Sequence, residues 1–244
     1  MTQPRLYTEL ADWYPLLSVS ADYEEEAAIF MEALDELAPR PIRTMLELGC
    51  GGGANASFMK QRYDMTLTDL SARMLDQSKK INPDLEHLEG DMRTLRLGRT
   101  FDAVFIHDAI VYMATDDDLA AAIATASVHC SSPGIALFVP DETAENYRRH
   151  TYSNEHTVGT RTLRYVAHTD DIVGTTIRTR FIITMREGDD ERVVHDDHVT
   201  GVFPRATWVS LIERAGFEFV ARPFRHSSFA PDAGRELFFG LKRD

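Results

Sequence analysis

Apolar positions along residues 22–38 recur at spacings of three and four. Ala27, Phe30, Met31, Leu34 and Leu37 form one stripe that Pro39 closes, and this spacing predicts a helix. The pattern then shortens into an apolar run, Thr44-Met45-Leu46-Glu47-Leu48, that enters Gly49-Cys50-Gly51-Gly52-Gly53. Helical stretches are expected at about 54–62, 72–80 and 116–128. Strands are expected at 65–68, near 85–89, at 101–107 and at 135–139, the last entered through Ser132-Pro133-Gly134. The run from Phe101 to His107 is nearly continuous in apolar residues, as in a strand buried on both faces of a parallel sheet.

From about residue 160 the period changes to two. Turn signals at Asp170-Asp171 and Glu187-Gly188-Asp189-Asp190 divide this stretch into three antiparallel strands, roughly 161–168, 174–186 and 191–203. After Pro204 a helical stripe returns through Trp208, Leu211, Ile212 and Ala215 and ends at Gly216. Strands near 217–224 and 236–242 close the chain. Alternating strands and helices predict an α/β fold, a doubly wound parallel sheet built from residues 1–139 and 205–244. Residues 140–204 form an antiparallel β insertion.

Composition changes this picture little. The 244 residues are 43% apolar and 27% charged, which is ordinary globular composition. The net charge of −13 argues against nucleic-acid binding, which needs a basic stripe, and leaves a small-molecule substrate as the default. Residues 1–12 hold no apolar run of signal-peptide length and no run spans a membrane, so a cytoplasmic protein is expected. Cys50 and Cys130 fit no metal or redox spacing. In the His195-Asp196-Asp197-His198 stretch, residues three apart on a strand face opposite ways, so no metal site is expected. His198 is instead read as facing the substrate cleft. Oligomeric state is open, a homodimer included.

The candidate site starts at the glycine turn. Glycines permit tight turning and close ligand approach, and a following helix start offers N–H groups. Asp69, at the end of the second strand, is placed to accept from ribose hydroxyls. Gly90-Asp91-Met92 ends the third strand, where Asp91 is placed to accept from an adenine amino group and Met92 to pack near the ring. Leu70 and Met74, just past Asp69, join the cofactor set. Glu47 is an acid in an apolar strand, costly to bury unless a cationic ligand meets it. Each acid has a competing reading as a helix cap, Asp69 above all. There is no Gly-Lys-Ser/Thr, so a P-loop nucleotide hydrolase is excluded.

Glu47-Leu48-Gly49-Cys50-Gly51-Gly52-Gly53 resembles the acidic, glycine-rich motif of class I S-adenosylmethionine (SAM)-dependent methyltransferases. Asp69, Gly90-Asp91-Met92-Arg93 and Pro133-Gly134 resemble its later motifs in order, with Ile135 where a second glycine is usual. A closer similarity runs to bacterial N,N-dimethyltransferases of nucleotide-linked deoxysugars, through Leu97-Gly98-Arg99, Asp197-His198 with Phe203, and Gly234-Arg235 with Phe239-Gly240. The resemblance implies a Rossmann-like core, SAM as donor with S-adenosylhomocysteine as product, an N-terminal lid around Tyr14, and an insertion roofing the cleft. The N-terminal segment departs from those enzymes, so their particular substrate does not transfer.

Methyl transfer from a sulfonium is mainly a matter of positioning, and an ammonium acceptor must also lose a proton. Tyr14 and His107 are the catalytic candidates, both also touching cofactor, with Asp108 beside them. Tyr7, Tyr112, Arg178 and His198 are the substrate candidates, with Arg180 as a further cleft residue. For His107 a strand-end histidine that only contacts cofactor competes with catalysis, and Tyr7 has a competing role in packing. Two other functions share the site: an NAD-dependent oxidoreductase, against which stand Ala54 and Asp91, and a SAM-binding regulator or subunit without activity.

Overall fold

The computed structural model describes residues 3–17, 20–230 and 233–243. Short 3-10 turns at Arg5–Tyr7 and Ala11–Leu16 precede helix α1 (Ser20–Leu37). The core continues with β1 (Thr44–Leu48), α2 (Ala54–Met59), β2 (Asp64–Asp69), α3 (Ala72–Ile81), β3 (Glu86–Glu89), β4 (Phe101–His107), α4 (Asp116–His129) and β5 (Cys130–Val139). Four further strands follow, β6 (Thr151–Val158), β7 (Arg161–Thr169), β8 (Thr176–Glu187) and β9 (Asp190–Gly201), and then α5 (Arg205–Arg214), β10 (Glu218–Pro223) and β11 (Glu236–Lys242).

The central sheet runs β3-β2-β1-β4-β5-β11-β10. Strands β1 to β5 pair in parallel, while β11 runs antiparallel to both β5 and β10. Its inner strands, β1, β2, β4, β5 and β11, are buried on both faces because alternate side chains serve two cores. Met45, Phe105, Leu137 and Phe239 point to the side where α1 lays Ala27, Phe30 and Leu34. Leu46, Val104, Ile106, Phe138 and Phe238 point to the side of Leu119 in α4 and of Trp208 and Leu211 in α5. Ser71 and Thr115 cap α3 and α4, accepting the Met74 and Asp118 N–H groups. Strand order reverses between β1 and β4, which opens a crevice at their carboxyl ends, the place where such sheets take ligands.

Strands β6 to β9 form a second, antiparallel sheet of four strands rather than the three expected. The missed one, β6, is an edge strand whose residues are nearly all exposed, so it carries no apolar alternation to read. Strand β5 also starts earlier than expected, at Cys130. Its pairing with β4 slips between Phe101 and Ala103, and that irregularity absorbs the Ser-Pro-Gly stretch read as a turn.

The inward face of the second sheet is not bare. Leu163, Ala167, Ile183, Met185 and Val194 pack against Leu6, Leu10 and Leu16 of the N-terminal segment. The same segment reaches the core: Asp12 accepts from Arg73 and Gln77 of α3, and the Ser71 hydroxyl donates to the Tyr7 carbonyl. It is a strap between the two sheets, with its own apolar core.

Candidate active site

A cleft of about 520 Å³ opens at the carboxyl ends of β1, β2, β3 and β4, under the second sheet. Glu47, Gly49, Cys50, Gly51, Asp69, Leu70, Met74, Gly90, Asp91, Met92 and His107 all line it, as do Tyr7, Tyr14, Tyr112 and Arg178. The structure thus brings together every sequence-predicted site residue except His198 and Arg180.

One end suits a nucleoside carrying positive charge. Gly49 has φ +77°, and a Cβ there would lie 2.3 Å from the Ala109 Cβ, so only glycine lets the chain pass. At Gly52 a Cβ would stand 3.0 Å from the Tyr14 ring, which lies directly over the turn. Asp69 is a cleft wall and not the helix cap, which Ser71 supplies: its Oδ2 accepts the Gly51 N–H at 2.8 Å and its Oδ1 the Ser71 N–H at 2.8 Å. Burial raises its pKa against the pull of those bonds. Glu47 is buried, its Oε2 has no hydrogen-bond partner, and desolvation with the nearby Asp69 charge pushes its pKa to about 8. An orphaned buried carboxyl oxygen facing a glycine-floored hollow fits the cationic methionine portion of SAM, so the residues present fit the cofactor the resemblance implies.

Asp91 is more engaged than its motif suggested. The Arg93 guanidinium clamps it, Nη2 to Oδ2 at 2.6 Å and Nε to Oδ1 at 3.0 Å, and reaches Asp118 at 2.8 Å through Nη1. That clamp holds the Asp91 carboxyl below the usual carboxylate range. An adenine amino group would therefore meet an oxygen already shared with Arg93.

The other end is acidic. His107 Nε2 lies 3.0 Å from Asp108 Oδ1 and 3.6 Å from Glu26 Oε2, while Asn55 Nδ2 lies 3.1 Å from Nδ1. With Asn55 donating to Nδ1, the network assigns the proton to Nε2, facing Asp108. Burial pushes the imidazole down to about 4 against the pull of Asp141. His107 thus stays neutral with both nitrogens occupied, an orienting partner for Asp108 rather than a free base.

Asp108 has φ +40°, the one non-glycine residue with positive φ among those described. Strain of this kind persists where surrounding structure imposes it, commonly at working sites. Its carboxyl hydrogen-bonds to Asp141, just past β5, and burial raises Asp108 to about 6 and Asp141 to about 7, the Asp108 charge adding to the latter. More than half of the Asp108 side chain, 56%, still meets cleft solvent and Asp141 is exposed as well, so the upward push on both is strongest once a ligand fills the space. Asp141 was missed from the sequence. Its position after the strand beside β4 was the available signal.

The guanidinium groups nearby are partnered: Arg178 with Asp197 at 3.6 Å, and Arg235 with Glu142 at 3.7 Å. Arg180 shares the sheet face of Arg178 but pairs with Asp170 and does not line the cleft. On β9 the alternation sends Asp197 and Val199 to the cleft and Asp196 and His198 to the buried side. His198 sits one layer back, where its Nδ1 accepts from the Tyr112 hydroxyl at 2.8 Å.

A model of a methyltransferase domain matches residues 45–134. The chain is 29% identical, over 95% of its length and 97% of the relative's, to dTDP-3-amino-3,4,6-trideoxy-alpha-D-glucopyranose N,N-dimethyltransferase of Streptomyces venezuelae. It is 26% identical to cypemycin N-terminal methyltransferase of a Streptomyces species, over 87% of this chain and 84% of that one. Among solved structures, Streptomyces venezuelae DesVI superposes with a TM-score of 0.85 at 26% identity, covering 96% of this chain and 98% of the other.

Proposed function

We propose that this chain, a SAM-dependent methyltransferase with a Rossmann-like core, methylates the amino group of a small molecule, an amino sugar in the first instance. The observation that carries the amine is the Asp108 carboxyl in the cleft wall, hydrogen-bonded to Asp141 beside it, where each nearby arginine is already partnered. Such a wall attracts a cation and offers nothing to a hydroxyl that carboxylates would not offer equally to water. The sugar rests on the named activity of the relative matched along nearly the whole chain.

SAM, when bound, supplies a methyl group already activated on a sulfonium. The chain's residues do the rest. Glu47 meets the cofactor's positive charge, Asp69 faces its ribose, and Met92 with Leu70 and Met74 closes on its apolar surfaces. Tyr14, over the glycine turn, excludes water from one side. Asp108, oriented by His107 Nε2–H, holds the incoming ammonium, and Arg178 with Asp197 borders the remainder of the acceptor. Fixing the nitrogen in this way is the main catalytic contribution such a reaction requires. Two buried, unbridged cysteines suit a cytoplasmic setting.

A cofactor-monitored assay tests the reading with three acceptors: dTDP-3-amino-3,4,6-trideoxyglucose, its 3-hydroxy counterpart and a short peptide with a free N-terminus. Turnover of the amino sugar above the other two is expected. Methylation of the hydroxy sugar at an equal or higher rate overturns the amine, and preference for the peptide overturns the sugar.

A further inference from the structure

Behind the cleft wall lies a line of polar groups that the reading above leaves unused. The Tyr7 and Tyr112 hydroxyls are 2.8 Å apart, and Tyr112 donates to His198 Nδ1 at 2.8 Å. His198 Nε2 in turn meets Asp196 Oδ2 at 3.1 Å. Both tyrosines border the cleft, whereas His198 and Asp196 are buried. The remaining partners of Asp196 are the backbone N–H groups of Arg5 and Leu6, at 3.1 and 2.8 Å. Burial alone would raise the Asp196 carboxyl, yet its hydrogen bonds from His198 and this backbone hold it below the ordinary value.

This order has a direction. With Nε2–H donating to Asp196, the Nδ1 lone pair accepts from Tyr112, whose oxygen accepts from Tyr7, whose oxygen is left facing the cleft. An ammonium acceptor must shed one proton for each methyl it gains: R–NH3⁺ and the sulfonium become R–NH2CH3⁺, a thioether and H⁺. Resting on the amine reading, we propose that Tyr7, Tyr112 and His198 form a proton wire, terminated by Asp196, that takes this proton out of the cleft. The ammonium N–H bond breaks as its proton joins the Tyr7 oxygen, the Tyr7 proton passes to Tyr112, and the Tyr112 proton passes to His198 Nδ1. The nitrogen keeps the electron pair that attacks the methyl. The imidazolium formed lies against the Asp196 carboxylate, the pairing a buried charge requires. The proton returns to solvent by the same path after product leaves.

Neither tyrosine needs to ionise. Burial and neighbouring hydroxyls raise the Tyr7 pKa, and burial raises that of Tyr112, so both relay a proton rather than carry charge. The other titratable groups facing them are Tyr14, Asp108 and Asp141, with Asp108 and Asp141 holding the cation in place. His107 does not compete, because Asn55 and Asp108 occupy its nitrogens.

Tyr112→Phe cuts the wire while leaving Asp196 bound to His198, Arg5 and Leu6. With dTDP-3-amino-3,4,6-trideoxyglucose, Tyr112→Phe and Tyr7→Phe should each lower kcat at pH 7 about 10²-fold, with KM for SAM unchanged. The loss should vanish above the pKa of the acceptor's own ammonium, where the amine arrives neutral. A deficit equal at every pH, or kcat at pH 7 within twofold of the parent, overturns the wire. Recovery with pH in Asp108→Asn alone would assign the proton to Asp108 instead. Nitrogen-15 NMR of the His198 ring needs no acceptor. A bare Nδ1 whose resonance moves in Tyr112→Phe is expected, and a proton on Nδ1 in the parent overturns the direction. If the parent ignores the amino sugar, the acceptor reading fails while the NMR result still decides the wire.

Discussion

Replacing Glu47 by Gln should stabilise the ligand-free protein and weaken its hold on SAM. In the folded chain burial lifts this carboxyl from an ordinary 4.5 to about 8, so at pH 7 it is protonated when folded and ionised when unfolded. The folded state thus binds the extra proton, and stability falls as pH rises from the unfolded value toward the folded one. At pH 7 the gap of about 2.5 pH units corresponds to about 3 kcal/mol of destabilisation. Gln keeps the shape and removes that cost, less about 1 kcal/mol for its imperfectly satisfied amide. A gain of about 2 kcal/mol shifts Tm by several degrees in a chain of this size. Binding should move oppositely. A cationic cofactor is met by the ionised form, so its binding should release close to one proton at pH 7, and affinity should climb about fivefold between pH 7 and pH 8. Calorimetry in two buffers of different ionisation enthalpy counts that proton, and melts from pH 6 to 9 with and without SAM give the stabilities. If Glu47→Gln melts lower than the parent without ligand, or if no proton is released, the carboxyl is not neutral in the empty cleft and the reasoning fails.

Asp91→Asn should weaken SAM by about 1–3 kcal/mol, because it disturbs both the cleft oxygen and the Arg93 clamp; titration calorimetry on a folded variant measures this. Asp108→Asn should raise KM for the amine acceptor with little change in SAM affinity. In the parent that KM should improve as pH rises through about 6 to 7, where Asp108 and Asp141 ionise. Leu10→Ala should cost about 2–5 kcal/mol in denaturant unfolding, since Leu10 is fully buried under the second sheet. Removing residues 1–17 should accordingly lower Tm as well as turnover, whereas a lid resting on the surface would leave Tm unchanged.

The parallel core was readable because its strands are apolar on both faces and its turns are punctuated by glycine and proline. Glu47 and the glycines announced the cofactor end for a physical reason: an acid and flexible backbone in an apolar setting have few other uses. The rest depended on distance rather than spacing. Nothing local in Asp141 tells that the strand ending at His107 lies beside it, and nothing in Asp91 tells that Arg93 folds back to clamp it. His198 was assigned to the cleft because the phase of β9 cannot be set without its partners. The register of Thr179 with His198 turns that histidine inward, toward Tyr112. Strand β6 was invisible because its pairing is satisfied by backbone alone, with almost no buried side chain to mark it.

The N-terminal strap touches both ligand ends at once: Tyr14 covers the glycine turn, Tyr7 borders the acceptor end, and Leu6, Leu10 and Leu16 hold the second sheet. A single cover shared by the two ends of one cleft cannot lift from one and stay shut on the other. Spent donor could not then be exchanged while a methylated acceptor stayed enclosed, so a second methyl group, were one added, would take a second visit. An acceptor able to take two methyl groups would then appear first in solution as its singly methylated form, with any doubly methylated form following after a delay.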